Sequence, residues 1–327
     1  MKTIFFCSIL FLCSILTNAQ YVNTTAFEAR EIQGRILLVC LPEYDKELVN
    51  LYEQENPDYV RIYKTDIDGQ RKALLKAILE HWTFNDSVQI ISLKEAKSLI
   101  RKNFTKYALM KVGEQFQNMR YYSGKISEPP VTAWIMKDSN LVYDYNSRSN
   151  IRILGITSLV IELPQRAIEV YLPKMSPSEG DFIYALHQMD YVLSTLLKTQ
   201  LGLANKIYRN TGSISKELKN KTLLLDGTEL GSKVEEIQKV YPYPFKIARH
   251  DIIEKALQSK DTNYVFIQNS RYDPNNSTYY ISNVGDGTIY GYFNGLTFDY
   301  GEQYGTAFKV EIFYPRITTK HIGQLIN

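Results

Sequence analysis

Two stretches of this chain, residues 88–111 and 245–268, align without a gap at a constant offset of 157 positions. Only Ile90/Ile247, Thr105/Thr262 and Tyr107/Tyr264 are identical, but the apolar pattern runs in step. Each copy reads as a short strand (88–91; 245–248), a short helix (93–101; 251–258), a polar turn and a second strand (107–112; 264–268). A repeat at this separation constrains the fold more than any other feature, because it requires one supersecondary unit to be built twice.

The flanks extend the match. An apolar strand precedes each copy, at 36–41 and at 222–225. A helical pattern follows each strand. In the second half Leu230, Val234, Ile237 and Val240 recur at helical spacing. In the first half the same region is longer by about 30 residues on the offset just given. It holds a helix at 46–55 and a second one ending in Leu74, Leu75, Ile78, Leu79 and Trp82. Downstream, strands are expected at 132–136, 141–145 and 151–163 in the first half. The second half has them at 278–282, 288–293 and 306–314, with turn residues at Gly285-Asp286-Gly287 and Tyr300-Gly301.

Between the halves lies the clearest helix. Ser176-Pro177-Ser178-Glu179 reads as N-cap, proline at N1 and glutamate at N3. Phe182, Ala185, Leu186, Met189, Val192, Leu193 and Leu196 then form one apolar stripe. The division expected is a leader at 1–19, a first α/β unit at 20–175, a connecting helix and linker at 176–218, and a second α/β unit at 219–327. The fold class is α/β (α+β): two β-α-β-α-β-meander units, with mixed sheets and helices packed on one face. In element order each half resembles the small periplasmic α/β domains of the TolB amino-terminal, LpoB and curli-secretion types. That resemblance implies an interaction module of the cell envelope and transfers no individual residue.

The amino terminus predicts export. Lys2, an apolar run from Ile4 to Leu16 and Ala19 before Gln20 have the order of a cleavable signal peptide. The run is too short to span a bilayer, which needs about 20 apolar residues. Cleavage after Ala19 leaves 327 − 19 = 308 residues, with 37 basic against 35 acidic ones. That balance argues against a nucleic-acid partner, and no later segment is apolar enough to be transmembrane. Cys40 is then the one remaining cysteine, and its apolar setting at 36–41 marks a buried thiol.

The search for chemistry returns no catalytic residue, no metal site and no cofactor. His81, His187, His250 and His321 lie in no metal-binding spacing. Asp66-Ile67-Asp68-Gly69 lacks calcium-loop spacing and reads as a polar turn. Asp226-Gly227-Thr228 reads as a turn at a strand end. Ser213-Ile214-Ser215-Lys216 fits Ser-x-x-Lys without the companion motifs of serine acyl-enzymes. Tyrosine stands out, with 25 in the chain. Strict alternation puts Tyr290 and Tyr292 on one strand face, opposite Ile289 and Phe293. With Tyr279 and Tyr300 they form the candidate partner-binding surface. The function expected is that of an exported, non-catalytic interaction or assembly protein of the periplasm or cell surface. Its partner would be another envelope protein or a saccharide. The alternative is an enzyme or small-ligand receptor with its site in a cleft between the halves.

Overall fold

The computed structural model describes residues 24–55, 57–116, 133–137, 140–144, 154–164, 166–173, 176–199, 207, 215–273, 276–296 and 317–326. The leader at 1–19 and the strand expected at 306–314 lie outside them. In the first unit, helix α1 (Ala26–Gln33) leads into β1 (Ile36–Cys40). Helices α2 (Lys46–Glu55) and α3 (Pro57–His81) cross to β2 (Val88–Ile90), and α4 (Leu93–Lys102) returns to β3 (Tyr107–Phe116). A separate hairpin, β4 (Ala133–Lys137) and β5 (Asn140–Asp144), precedes β6 (Leu154–Leu163) and β7 (Arg166–Tyr171). The sheet order is β2-β1-β3-β6-β7, parallel across the first three strands and antiparallel after them. Helix α5 (Glu179–Thr199) closes the unit.

The second unit repeats this plan. After a 3-10 turn (Ser215–Asn220) come β8 (Thr222–Asp226), α6 (Val234–Val240), β9 (Phe245–Ala248) and α7 (His250–Ser259). Then follow β10 (Tyr264–Asp273), β11 (Asn276–Asn283), β12 (Ile289–Leu296) and a closing helix α8 (Thr319–Ile326). The order β9-β8-β10-β11-β12 carries the same strand directions. Registers coincide too. Ile36 pairs with Tyr107 as Thr222 pairs with Tyr264, and Leu37 pairs with Val88 as Leu223 pairs with Phe245. Helices α4 and α7, and strands β3 and β10, share both ends at the 157-residue offset. Strands β1 and β8 start 186 apart, so the first crossover is longer by 186 − 157 = 29 residues. The extra length makes a pair of helices where the second unit has α6 alone.

The units stack head to tail. In the first, Leu37, Val39, Ala108 and Met110 face the layer that holds α3 and α5, and Leu38, Cys40 and Leu109 face α4. In the second, the equivalents of the first group are Leu223, Leu225, Val265 and Ile267. They face a core of their own with Ile237 of α6 and Ile322 of α8. Leu224 and Phe266 face inward with α7 and join the core of the first unit. Burial on both faces is why β1 and β8 are apolar without alternation, as parallel strands are. Helix α5 has a sheet on either side, and every residue from Gly180 to Met189 is buried. The apolar stripe in the sequence covers only part of this. Tyr184, His187 and Gln188 face the second unit, where the Tyr184 ring meets Phe266 edge-on at 5.7 Å. Gln188 Nε2 donates to Ser282 Oγ (3.0 Å) and to the Gly287 carbonyl (2.9 Å).

Helices pack on both faces of the first sheet, α4 on one and α3 with α5 on the other, where helices on one face are expected from the sequence. Three further expectations are corrected. First, the antiparallel part of the first sheet is β6–β7; among the described residues, the segments expected at 132–136 and 141–145 form a separate hairpin, β4 with β5. Second, Asp66-Ile67-Asp68-Gly69 is no turn but the middle of α3. Val60, Tyr63, Ile67, Leu74, Ala77 and Ile78 are buried at helical spacing along it. They outweigh the glycine, which costs about 1 kcal/mol in a helix interior. Third, the cap of α5 is Ser178, which accepts from Asp181 N (3.4 Å), while Asp181 Oδ2 accepts from Ser178 N (2.9 Å). Ser176 instead donates to Asp66.

Candidate functional site

The tyrosine strands are core, which overturns the exposed face expected for them. Tyr279 and Tyr290 are buried at 1% and 3% exposure, and half-buried Tyr292 packs against the main core. Tyr300 lies outside the described residues. Strict alternation fails because β12 carries a bulge. Ser282 pairs with Ile289 and Ile281 with Gly291, so Tyr290 is an extra residue between them. The bulge shifts the phase by one. Tyr290 joins Tyr279 and Ile281 on the α6–α8 side, while Ile289 and Tyr292 turn toward α5. Tyr292 stacks on its cross-strand neighbour Tyr280, with centroids 6.3 Å apart. Asn283 Nδ2 donates to the Tyr290 hydroxyl at 3.5 Å, which gives the phenol the partner that burial requires.

Polar chemistry gathers instead at the amino-terminal end of α5. Asp226 ends β8, the central strand of the parallel three. That is the carboxyl edge where α/β sheets of this strand order place ligands. Its Oδ1 accepts from Thr228 N (2.9 Å) and Thr228 Oγ1 (2.7 Å), and its Oδ2 lies 3.1 Å from His250 Nδ1. His250 opens α7, and its Nε2 lies 3.5 Å from Glu254 Oε1, one turn on. Burial pushes the Asp226 carboxyl up, but the bonds from His250 and Thr228 outweigh it and hold the pKa at about 2. The carboxylate therefore orients His250 with Nδ1–H inward and Nε2 toward Glu254. Glu254 in turn packs on Gly180 of α5, where a Cβ would lie 2.8 Å from its Cγ.

Beside this group, α3 and the start of α5 border an open pocket of 480 Å³ lined by Thr65, Asp66, Gln70, Ser176, Ser178 and Glu179, among others. Gln70 Nε2 donates to Asp66 Oδ2 (2.9 Å), and Gln70 Oε1 is buried with no hydrogen-bond partner. Burial raises the Asp66 pKa against the hydrogen bonds from Ser176 and Gln70. Glu179 is held by Lys76 Nζ (2.8 Å) and Gln258 Nε2 (2.9 Å). Such a lining suits a small hydroxylated ligand or ordered water.

Sequence reasoning noticed Asp226 as a strand-end turn, which it is. It missed the grouping with His250 and Glu254. A signal existed in the repeat: the equivalent positions of the first unit are Cys40, Leu93 and Lys97, so one copy replaces two apolar residues by a carboxylate and an imidazole. Cys40 is buried as expected, and burial together with Glu43 pushes its thiol up to about 11, out of the reactive range. Ser213 is outside the described residues. Among the described residues no three His, Cys, Asp or Glu side chains converge to hold a metal ion, and no helix is long and apolar enough to cross a membrane. Comparison with family models, with curated proteins and with solved structures returned no match.

Proposed function

We propose that this chain is an exported interaction or assembly protein of the cell envelope, and that its partner engages the open parallel edges of its two sheets. One observation carries this reading. Both units end their sheet in the same short parallel strand, β2 and β9, and each exposes an isoleucine at the equivalent position. Ile90 is 39% and Ile247 40% exposed. An open edge with an apolar contact point is a template for an added strand. Two of them on one chain suit a partner that presents an extended segment.

The test is a pull-down from the envelope fraction with the mature protein and with an Ile90→Lys/Ile247→Lys variant. Surface substitutions of this kind usually change stability within about 0.5 kcal/mol, so melting should hold while capture is lost. Equal capture by the variant would remove the edges from the account. A second reading, a small-ligand receptor, is supported by the open pocket around Asp66. A saccharide that raises the melting temperature of the wild type but not of Asp66→Asn would favour it.

A further inference from the structure

We propose that His81 and His187 form an acid-operated latch on the seam between the two units. His81 is the last residue of α3, and His187 sits midway along α5. Both are buried, at 3% and 6% exposure, and their rings lie with His81 Nδ1 3.1 Å from His187 Nε2. His187 Nδ1 lies 3.2 Å from the carbonyl of Val284, in the turn between β11 and β12. The chain of contacts therefore joins two helices of the first unit to a turn of the second.

The donors in this chain are fixed by chemistry. A carbonyl only accepts, so His187 Nδ1 carries hydrogen and donates to Val284. Neutral His187 then has a bare Nε2, which accepts from Nδ1–H of His81. One added proton fits, on His81 Nε2, because both hydrogen bonds survive. A second proton must go to His187 Nε2. It sets N–H against N–H at 3.1 Å and places two cations side by side in a buried seam. The seam can hydrate them only by opening.

The surrounding charges set the threshold. On α3, Lys76 opposes and Glu80 favours a charged His81; on α5, Glu179 favours it; past the end of α7, Lys260 opposes it. Lys260 also opposes a charge on His187, and Asp286 of the β11–β12 turn favours one. Lys260 Nζ is tied to the Glu80 carbonyl at 3.0 Å, so this cation stays close. Burial is the largest effect on both rings and lowers both pKa values, that of His187 to about 4. The closed form binds fewer protons than the open form, so the latch is complete above the ordinary histidine pKa of 6.5. It loses strength as pH falls from there toward 4.

Hydrogen exchange on the whole mature protein between pH 7 and pH 4 tests this. Protection factors of the Val284 and Gly287 amides are followed after correction for intrinsic exchange rates. With the His187 pKa at about 4 in the closed form against 6.5 in the open one, the loss of protection between pH 7 and pH 4 is about 100-fold. Strands β1 and β3 should not change. His187→Asn keeps a donor toward Val284 and cannot titrate, so its turn should show no such loss. Should that variant not fold, the wild-type imidazole nitrogen shifts give the same answer, because the pair should titrate in two separated steps. Protection that stays flat in the wild type, or falls equally in His187→Asn, overturns the latch. A single step for both rings overturns it as well.

Discussion

Tyr290 shows how one residue can invert a reading of a strand. Alternation placed it beside Tyr292 on a wet face, and a single extra residue opposite the Ile281–Ser282 step sends the two to different cores. Nothing in the local sequence marks the bulge, because the pairing that reveals it depends on β11. Glycine at 291, between the two tyrosines, is compatible with a bulge but also with plain strand. Tyr290→Ala should therefore behave as a core truncation. It should cost about 3–5 kcal/mol, read as a fall in the denaturant midpoint with an unchanged slope. A cost near zero would return Tyr290 to the surface.

At the scale of elements, the sequence was most legible where helix and strand repeat at the same offset. The equivalence of α4 with α7 and of β3 with β10 follows from aligning 88–111 with 245–268, although both strands run on past the 107–112 and 264–268 expected, to Phe116 and Asp273. Legibility failed where tertiary packing decides. The polar run at 66–69 belongs to a continuous helix because residues two turns away on either side are buried against other elements. The start of α5 slipped by two residues because Ser176 and Ser178 are chemically equal candidates for a cap. Only the fold turns Ser176 toward Asp66. Ser178→Ala should cost about 1 kcal/mol, and Ser176→Ala should leave helix content unchanged. The two variants, compared by circular dichroism during thermal melting, separate the caps. The reverse ranking would restore the earlier one.

For the whole molecule, the main point is that a duplicated unit was stacked without symmetry between its exposed faces. The inward face of the second sheet presents Phe266, Tyr280, Ile289 and Tyr292 to α5. The equivalent outer face of the first sheet carries the Lys111–Glu162 ion pair (2.7 Å) and the bond from Ser158 Oγ to Glu169 (2.5 Å). Polar closure of that face ends the stack, as in terminal repeats of solenoid proteins. The interior is then shared, because α5 contributes to one core that includes strands of both sheets. Shared burial of this extent predicts that the halves unfold together.

The chain holds two tryptophans, Trp82 and Trp134, both in the first unit. Trp82 is buried in the shared core, whereas Ile281 lies in the separate core of the second unit. Denaturant unfolding of Ile281→Ala followed by tryptophan emission therefore reads the first unit after damage confined to the second. The expected destabilisation is about 2–5 kcal/mol, and the emission midpoint should fall together with the far-ultraviolet circular dichroism midpoint in one transition. An emission midpoint that stays at the wild-type value while circular dichroism splits into two steps would show two independent domains and contradict the single shared core.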